Sequence, residues 1–266
     1  MPTFAADMNP IISAQGLSIG YRTAHRTCVV HQGLTLALEG GGLTCLLGAN
    51  GSGKSTLLRT LAALQPPLGG ELLLQGRPLV AYTAKELARR IGIVLTERTQ
   101  IVGLTVAELI ALGRQPHTGF FGRLREHDRQ LVRTAMDQVG IAHKAASSVA
   151  ELSDGERQKA MIAKALVQEC PVILLDEPTA FLDAPSRIDV MRLLRRLANQ
   201  QGKAILLSTH DTHLAIALAD RLWLLAPDGL HMGTAHDMVA GGELDALFPG
   251  AALPFPSFAA MARTLD

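Results

Sequence analysis

Two kinds of apolar spacing alternate along this chain. Residues 43–47, 91–95, 172–175, 204–208 and 222–225 are short, nearly unbroken apolar runs. Runs of that length between turn signals predict strands, and the last three read as strands buried on both faces. Residues 12–21 and 33–38 predict further strands leading into 43–47, with Gly40, Gly41 and Gly42 as a turn. Residues 69–76 predict one more. The stretch 54–64 reads as a helix closed by Pro66 and Pro67. From about 99 to 169 the character becomes helical. Candidate helices span 105–112, 126–139 and 156–168, punctuated by Gly113, Pro116, Gly119, Gly122 and Gly140. Helices over 184–199 and 212–220 then alternate with the returning strands. In the first of these, Val190, Leu193, Leu194 and Leu197 share one face. This order predicts a parallel sheet covered on both sides, with an all-helical insertion and no internal repeat.

Composition narrows the setting. The chain has 266 residues, 48% of them hydrophobic, enough for one large domain or a domain with a subdomain. Charged residues are 18% and the net charge is +1, which gives no electrostatic case for a nucleic-acid partner. Mean hydropathy is +0.21, high for a soluble protein. A spanning helix needs about 20 nearly uninterrupted apolar residues. The most apolar stretch, 204–225, is broken by His210, Asp211, His213, Asp220 and Arg221. The N-terminus lacks a basic segment followed by an apolar one, so no secretory signal is expected. Cys28, Cys45 and Cys170 are odd in number and widely spaced, which suits reduced thiols and offers no zinc or redox motif. High apolar content without a span points to surface buried against a partner. The tail from Phe248, with Pro249, Pro254, Phe255, Pro256 and Phe258, is expected to pack on its own domain.

Three motifs carry chemistry. Gly48-Ala49-Asn50-Gly51-Ser52-Gly53-Lys54-Ser55-Thr56 has the P-loop form and sits between a predicted strand and a predicted helix. Its glycines let successive N–H groups point inward at a polyphosphate, and the helix aims its positive dipole end at the same spot. Lys54 would reach the β- and γ-phosphates, and the Ser55 hydroxyl would bind Mg²⁺. A second motif, Asp176-Glu177-Pro178-Thr179, follows the apolar run 172–175. A strand-end carboxylate in a doubly wound sheet lies beside the phosphate loop, so Asp176 is placed to hold Mg²⁺ and Glu177 to polarise an attacking water. The third motif is Leu152-Ser153-Asp154-Gly155-Glu156-Arg157-Gln158. Ser153 and Glu156 form a capping box, and a capped helix start beside a glycine is also an anion site.

Together these motifs resemble the ATP-binding subunits of ABC transporters, from Leu17-Ser18-Ile19-Gly20-Tyr21 through Ser208-Thr209-His210-Asp211. The family signature is usually Leu-Ser-Gly-Gly-Gln, where this chain has Leu-Ser-Asp-Gly-Glu. The resemblance implies a P-loop NTPase of the α/β class. Its sheet is central and mostly parallel, with an N-terminal antiparallel β subdomain and an inserted helical subdomain. Residues of about 12–98 and 170–247 would form the nucleotide-binding core, about 99–169 the helical signature subdomain, and 248–266 a tail. It implies ATP and Mg²⁺ as ligands, Tyr21 as the aromatic stacked on adenine, and Gly48, Asn50, Gly51, Ser52, Gly53, Lys54, Ser55 and Thr56 as the phosphate cradle. Glu177, His210 and Lys54 would be catalytic, with His210 as the switch histidine. Ser153, Asp154, Gly155 and Glu156 would contact the ATP held by a second copy in a head-to-tail dimer, and Asp183 would touch that copy. Ser55, Asp176 and Glu97 would serve the metal. Glu97 stands where the family usually has Gln.

Leu112-Gly113-Arg114-Gln115-Pro116-His117-Thr118-Gly119, Val94-Leu95-Thr96-Glu97-Arg98 and Gly155-Glu156-Arg157-Gln158 resemble the ATPases of iron–siderophore, haem and cobalamin importers. That resemblance implies polytopic permease subunits as partners, a substrate-binding protein acting indirectly, and a place on the cytoplasmic face of the inner membrane. An ABC ATPase of a soluble assembly, such as the iron–sulfur cluster machinery, would carry nearly the same motifs.

Overall fold

A computed structural model of the chain describes residues 10–23, 26–96, 103–119 and 121–240. The elements begin β1 (Ile12–Arg22), β2 (Thr27–Leu38), β3 (Gly42–Leu47), α1 (Lys54–Leu61), β4 (Gly69–Leu74), β5 (Arg77–Pro78), α2 (Ala84–Leu87) and β6 (Ile91–Val94). Among the described residues three α-helices follow before the next strand: α3 (Val106–Ala111), α4 (Glu126–Val139) and α5 (Asp154–Leu166). The chain then runs through β7 (Val172–Leu175), α6 (Ala184–Gln201), β8 (Ala204–Ser208), α7 (Thr212–Leu218), β9 (Arg221–Ala226), β10 (Gly229–Gly233) and α8 (Ala235–Ala240).

Six strands form the central sheet in the order β10-β9-β3-β8-β7-β6, parallel throughout except for the antiparallel edge β10. Both of its faces are covered, which is why its strands read as unbroken apolar runs. Leu43, Cys45 and Leu47 of β3 share one core with Ile173, Leu175, Ile205, Leu207, Leu222 and Leu224 and the inward faces of α3–α7. Leu46, Val172, Leu174, Leu206, Trp223 and Leu225 point the other way, against α1 and the second sheet. That second sheet is antiparallel, in the order β2-β1-β4-β5.

Element ends depart from the sequence expectation for local reasons. Helix α1 stops at Leu61, three residues early, because Ala63 turns into the left-handed region at φ 58°. Helix α7 stops at Leu218 because Asp220 is recruited to the sheet: its N–H donates to Leu43 O at 2.9 Å, and its carboxylate accepts from Leu43 N at 2.8 Å. Helix α5 begins earlier, at Asp154, since Ser153 is its cap. Strand β2 starts at Thr27, its first half pairing with β1 as far as Tyr21 and Arg22. Strands β5 and β10 and helices α2 and α8 were not anticipated. β10 is half-buried along its length and mixes Gly, His and Met, so it has no apolar run. Residues 97–102 and the tail from 241 onward, including the expected packing of Phe248, Phe255 and Phe258, lie outside the described residues.

Candidate nucleotide site

The parallel strands end together, and the phosphate loop, the Asp176–Glu177 motif and His210 follow those ends. The loop 48–56 leaves β3 and enters α1. Gly53 is the helix cap, at φ 100°, and supplies no capping side chain; no acidic residue lies in the first turn of α1. The first N–H groups of α1 are therefore left for an anion. A Cβ on Gly53 would meet Val30 Cγ1 at 2.5 Å, and one on Gly48 would meet Ser52 Oγ at 2.7 Å and Leu225 O at 2.8 Å. At these two glycines the sheets leave no room for a side chain. Lys54 is buried, and its ammonium donates to Gly48 O at 2.8 Å and Ala49 O at 3.0 Å. Burial lowers its pKa, and the charges of Glu177 and Asp176 oppose that shift. Ser52 Oγ is buried with no hydrogen-bond partner, an orphaned group inside the loop.

Asp176 follows β7 and is buried. One of its carboxylate oxygens, Oδ1, accepts from Ser55 Oγ at 3.1 Å and from Ser208 Oγ at 2.7 Å. Its backbone is pinned on the other side, its N–H donating to Val94 O at 2.8 Å and its carbonyl accepting from Thr96 Oγ1 at 2.6 Å. The next residue, Glu177, has φ 48°, and its N–H donates to Ser208 Oγ at 2.8 Å. His210, two residues past the end of β8, contacts the Glu177 carboxylate directly through Nε2 and Oε1. A carboxylate only accepts, so Nε2 carries the proton of that bond.

These residues fit a nucleotide with its cation. The Ser55 hydroxyl and Asp176 carboxylate are hard oxygen donors brought to one point. Among the described residues no group of three or more Asp, Glu, His or Cys side chains could hold a metal. A cation at Ser55 and Asp176 would therefore take most of its ligands from phosphate and water, as Mg²⁺ does.

The remaining expected residues fall into two other places. Tyr21, near the end of β1, is 53% exposed and pairs across the hairpin with Cys28. The Cys28 thiol bonded to its hydroxyl raises the tyrosine pKa. Ser153 opens α5, its Oγ accepting from Glu156 N at 3.2 Å while Glu156 Oε2 accepts from Ser153 N at 2.9 Å. That bond first, then the Lys144 ammonium and the Ser153 hydroxyl, hold the Glu156 carboxyl at about 2. Asp183 caps α6, and its bonds from Ser186 lower its pKa. Gly155 faces Ser186 closely enough that a Cβ would lie 3.4 Å from its Oγ. The starts of α5 and α6 therefore adjoin, and the signature residues and Asp183 share one region. Glu97 lies outside the described residues.

Sequence reasoning missed three groups. Ser208 is the one polar residue of β8 and could have been noticed for that. Thr96 stands next to Glu97 in a motif already singled out. His31 had no signal at all: it reaches from β2 to place Nε2 2.8 Å from Ser52 O, a contact only the assembled sheets create.

Comparison with known proteins agrees with this fold. A sequence family described as ABC transporter matches residues 31–180. An uncharacterized ABC transporter ATP-binding protein of Methanocaldococcus jannaschii is 40% identical over 215 residues, covering 81% of this chain and 73% of that protein. The ferric enterobactin transport ATP-binding protein FepC of Escherichia coli is 41% identical over 211 residues, covering 79% of this chain and 76% of FepC. Among solved structures, a metal-chelate type ABC transporter in an inward-facing conformation superposes with a TM-score of 0.77 at 30% identity, over 90% of this chain and 89% of that one.

Proposed function

The chain belongs to the ATP-binding proteins of ABC transporters, and on that footing we propose that it is the ATP-hydrolysing subunit of an importer for a metal chelate, of the iron–siderophore, haem or cobalamin kind. The kinship with FepC and with a metal-chelate type transporter supports the substrate class. The observation that carries the catalytic reading is the chain of contacts Ser55–Asp176–Ser208–Glu177–His210 beside the phosphate loop.

In this reading Lys54 leaves the loop carbonyls for the terminal phosphates. The N–H groups at the start of α1 surround the rest, and the exposed face of Tyr21 receives adenine. Ser55 and Asp176 would hold Mg²⁺, which would neutralise phosphate charge. Glu177 accepts a proton from the attacking water, and His210 orients that carboxylate. Ser153, Asp154, Gly155 and Glu156 of a second copy close over the nucleotide from the far side, with Asp183 at the junction. Binding closes the pair because these contacts exist only when it is closed, and loss of the γ-phosphate reopens it. Residues 12–98 and 170–247 act as the nucleotide-binding core and 99–169 as the helical unit that meets the permease. No helix of the described residues is long and apolar enough to cross a membrane. The subunit would then work from the cytoplasmic face, held by polytopic partners.

Two measurements test this. Purified protein releases phosphate from ATP, and Glu177→Gln lowers the rate by at least about a hundredfold, roughly 2.7 kcal/mol of barrier. Tagged protein drawn from solubilised membranes brings down a polytopic membrane protein; a soluble scaffold in its place would move the chain to an assembly ATPase.

A further inference from the structure

Resting on the reading of Glu177 as the residue that polarises water, we propose that Ser208 is a positioning residue for it. Its hydroxyl would lock the Glu177 peptide to the metal-holding carboxylate of Asp176.

Ser208 is fully buried at the C-terminal end of β8. Its place follows from strand register. β7 and β8 are parallel with Leu175 opposite Leu207, so the residue after each lies beside the other. A hydroxyl has one proton to give. An ionised carboxylate can only accept and a peptide N–H can only donate, so the two bonds have one possible direction. Ser208 Oγ donates to Asp176 Oδ1 at 2.7 Å and accepts from Glu177 N at 2.8 Å.

Two facts lift this above a satisfied core serine. Glu177 has φ 48°, a left-handed conformation that a residue with a Cβ adopts reluctantly and keeps only when neighbours impose it. The preceding residue is fastened by Val94 and Thr96 from the β6 side. Ser208 supplies the opposite fastening, at the N–H of Glu177. The second fact is that the same strand end holds the other end of this residue, His210 meeting the carboxylate. Residues 208 and 210 therefore grip Glu177 by backbone and by side chain. A small change in peptide orientation at Glu177 swings its carboxylate, and misplacement on that scale costs rate rather than affinity.

The test uses Ser208→Ala and Ser208→Cys in the full chain. Cysteine fills the same space but is a weak donor and acceptor, and it carries the test should the alanine variant not fold. Both variants should lose about tenfold or more in kcat while KM for ATP stays within about twofold. Independently of turnover, hydrogen exchange at the Glu177 amide, followed by NMR on glutamate-labelled protein, should speed up by about tenfold or more. Wild-type kcat in Ser208→Cys, equal changes in kcat and KM, or unchanged exchange at that amide would each overturn the proposal. Absence of turnover in the wild-type chain would instead overturn the reading of Glu177, while the exchange rate still judges the bond.

Discussion

Glu156 shows what one residue of the signature does for local structure. It stands where the family signature usually has Gln, and either side chain can reach back to the Ser153 N–H to complete a capping box. The substitution therefore keeps the start of α5 while adding a charge, which Lys144 meets at 3.1 Å. Its carboxyl pKa is about 2 when folded, against about 4.3 in an unfolded chain. A depressed folded value means the stabilisation is complete above the unfolded pKa and is lost as pH falls through the folded one. The stability gap between wild type and Glu156→Ala, from urea unfolding at a series of pH values, should be constant above about pH 5 and close between about pH 4.3 and 2. A gap that persists unchanged to pH 2 would contradict the assignment. The capping box was legible because both partners lie three positions apart. The bonds of Ser208 and His31 were not, since their partners lie 31 or 32 and 21 positions away.

Legibility at the scale of elements followed burial. Strands β7 and β8 were read to the residue because both faces of the central sheet are covered. The half-exposed β10 carried no such run. The segment after α3, which carries Gly113 and Pro116, ties three elements of the helical insertion together. Residues Leu112–His117 form a short 3-10 turn in which Arg114 is buried. Arg114 bonds Asp128 Oδ1 at 2.9 Å near the start of α4, and Val167 O at 2.5 Å and Glu169 Oε2 at 2.6 Å past the end of α5. Gly113 is needed because a Cβ there would fall 2.1 Å from Lys164 O. Removing Arg114 leaves Asp128 buried without its ion pair. Arg114→Ala should therefore lose about 3–5 kcal/mol in chemical denaturation; a loss below about 1 kcal/mol would show that the pair is not what joins these helices.

For the whole molecule, the doubly wound sheet and its inserted helices were legible in the alternation of apolar runs with helical spacing. The antiparallel second sheet was only half so, because the first half of β2 is exposed or half-buried and β5 has two residues. In the proposed reading, one chain alone does not complete the site. The phosphate loop and Glu177 stand at the strand ends, whereas Ser153 spends its hydroxyl inside its own cap, at the start of α5 beside α6. In the proposed reading a second copy joins the two regions. The direct measurement is the mass of Glu177→Gln by light scattering, with and without saturating ATP and Mg²⁺. The account predicts one chain without nucleotide and two with it, and no doubling when Ser153→Arg is added. A mass that stays at one chain under saturating ATP would contradict it.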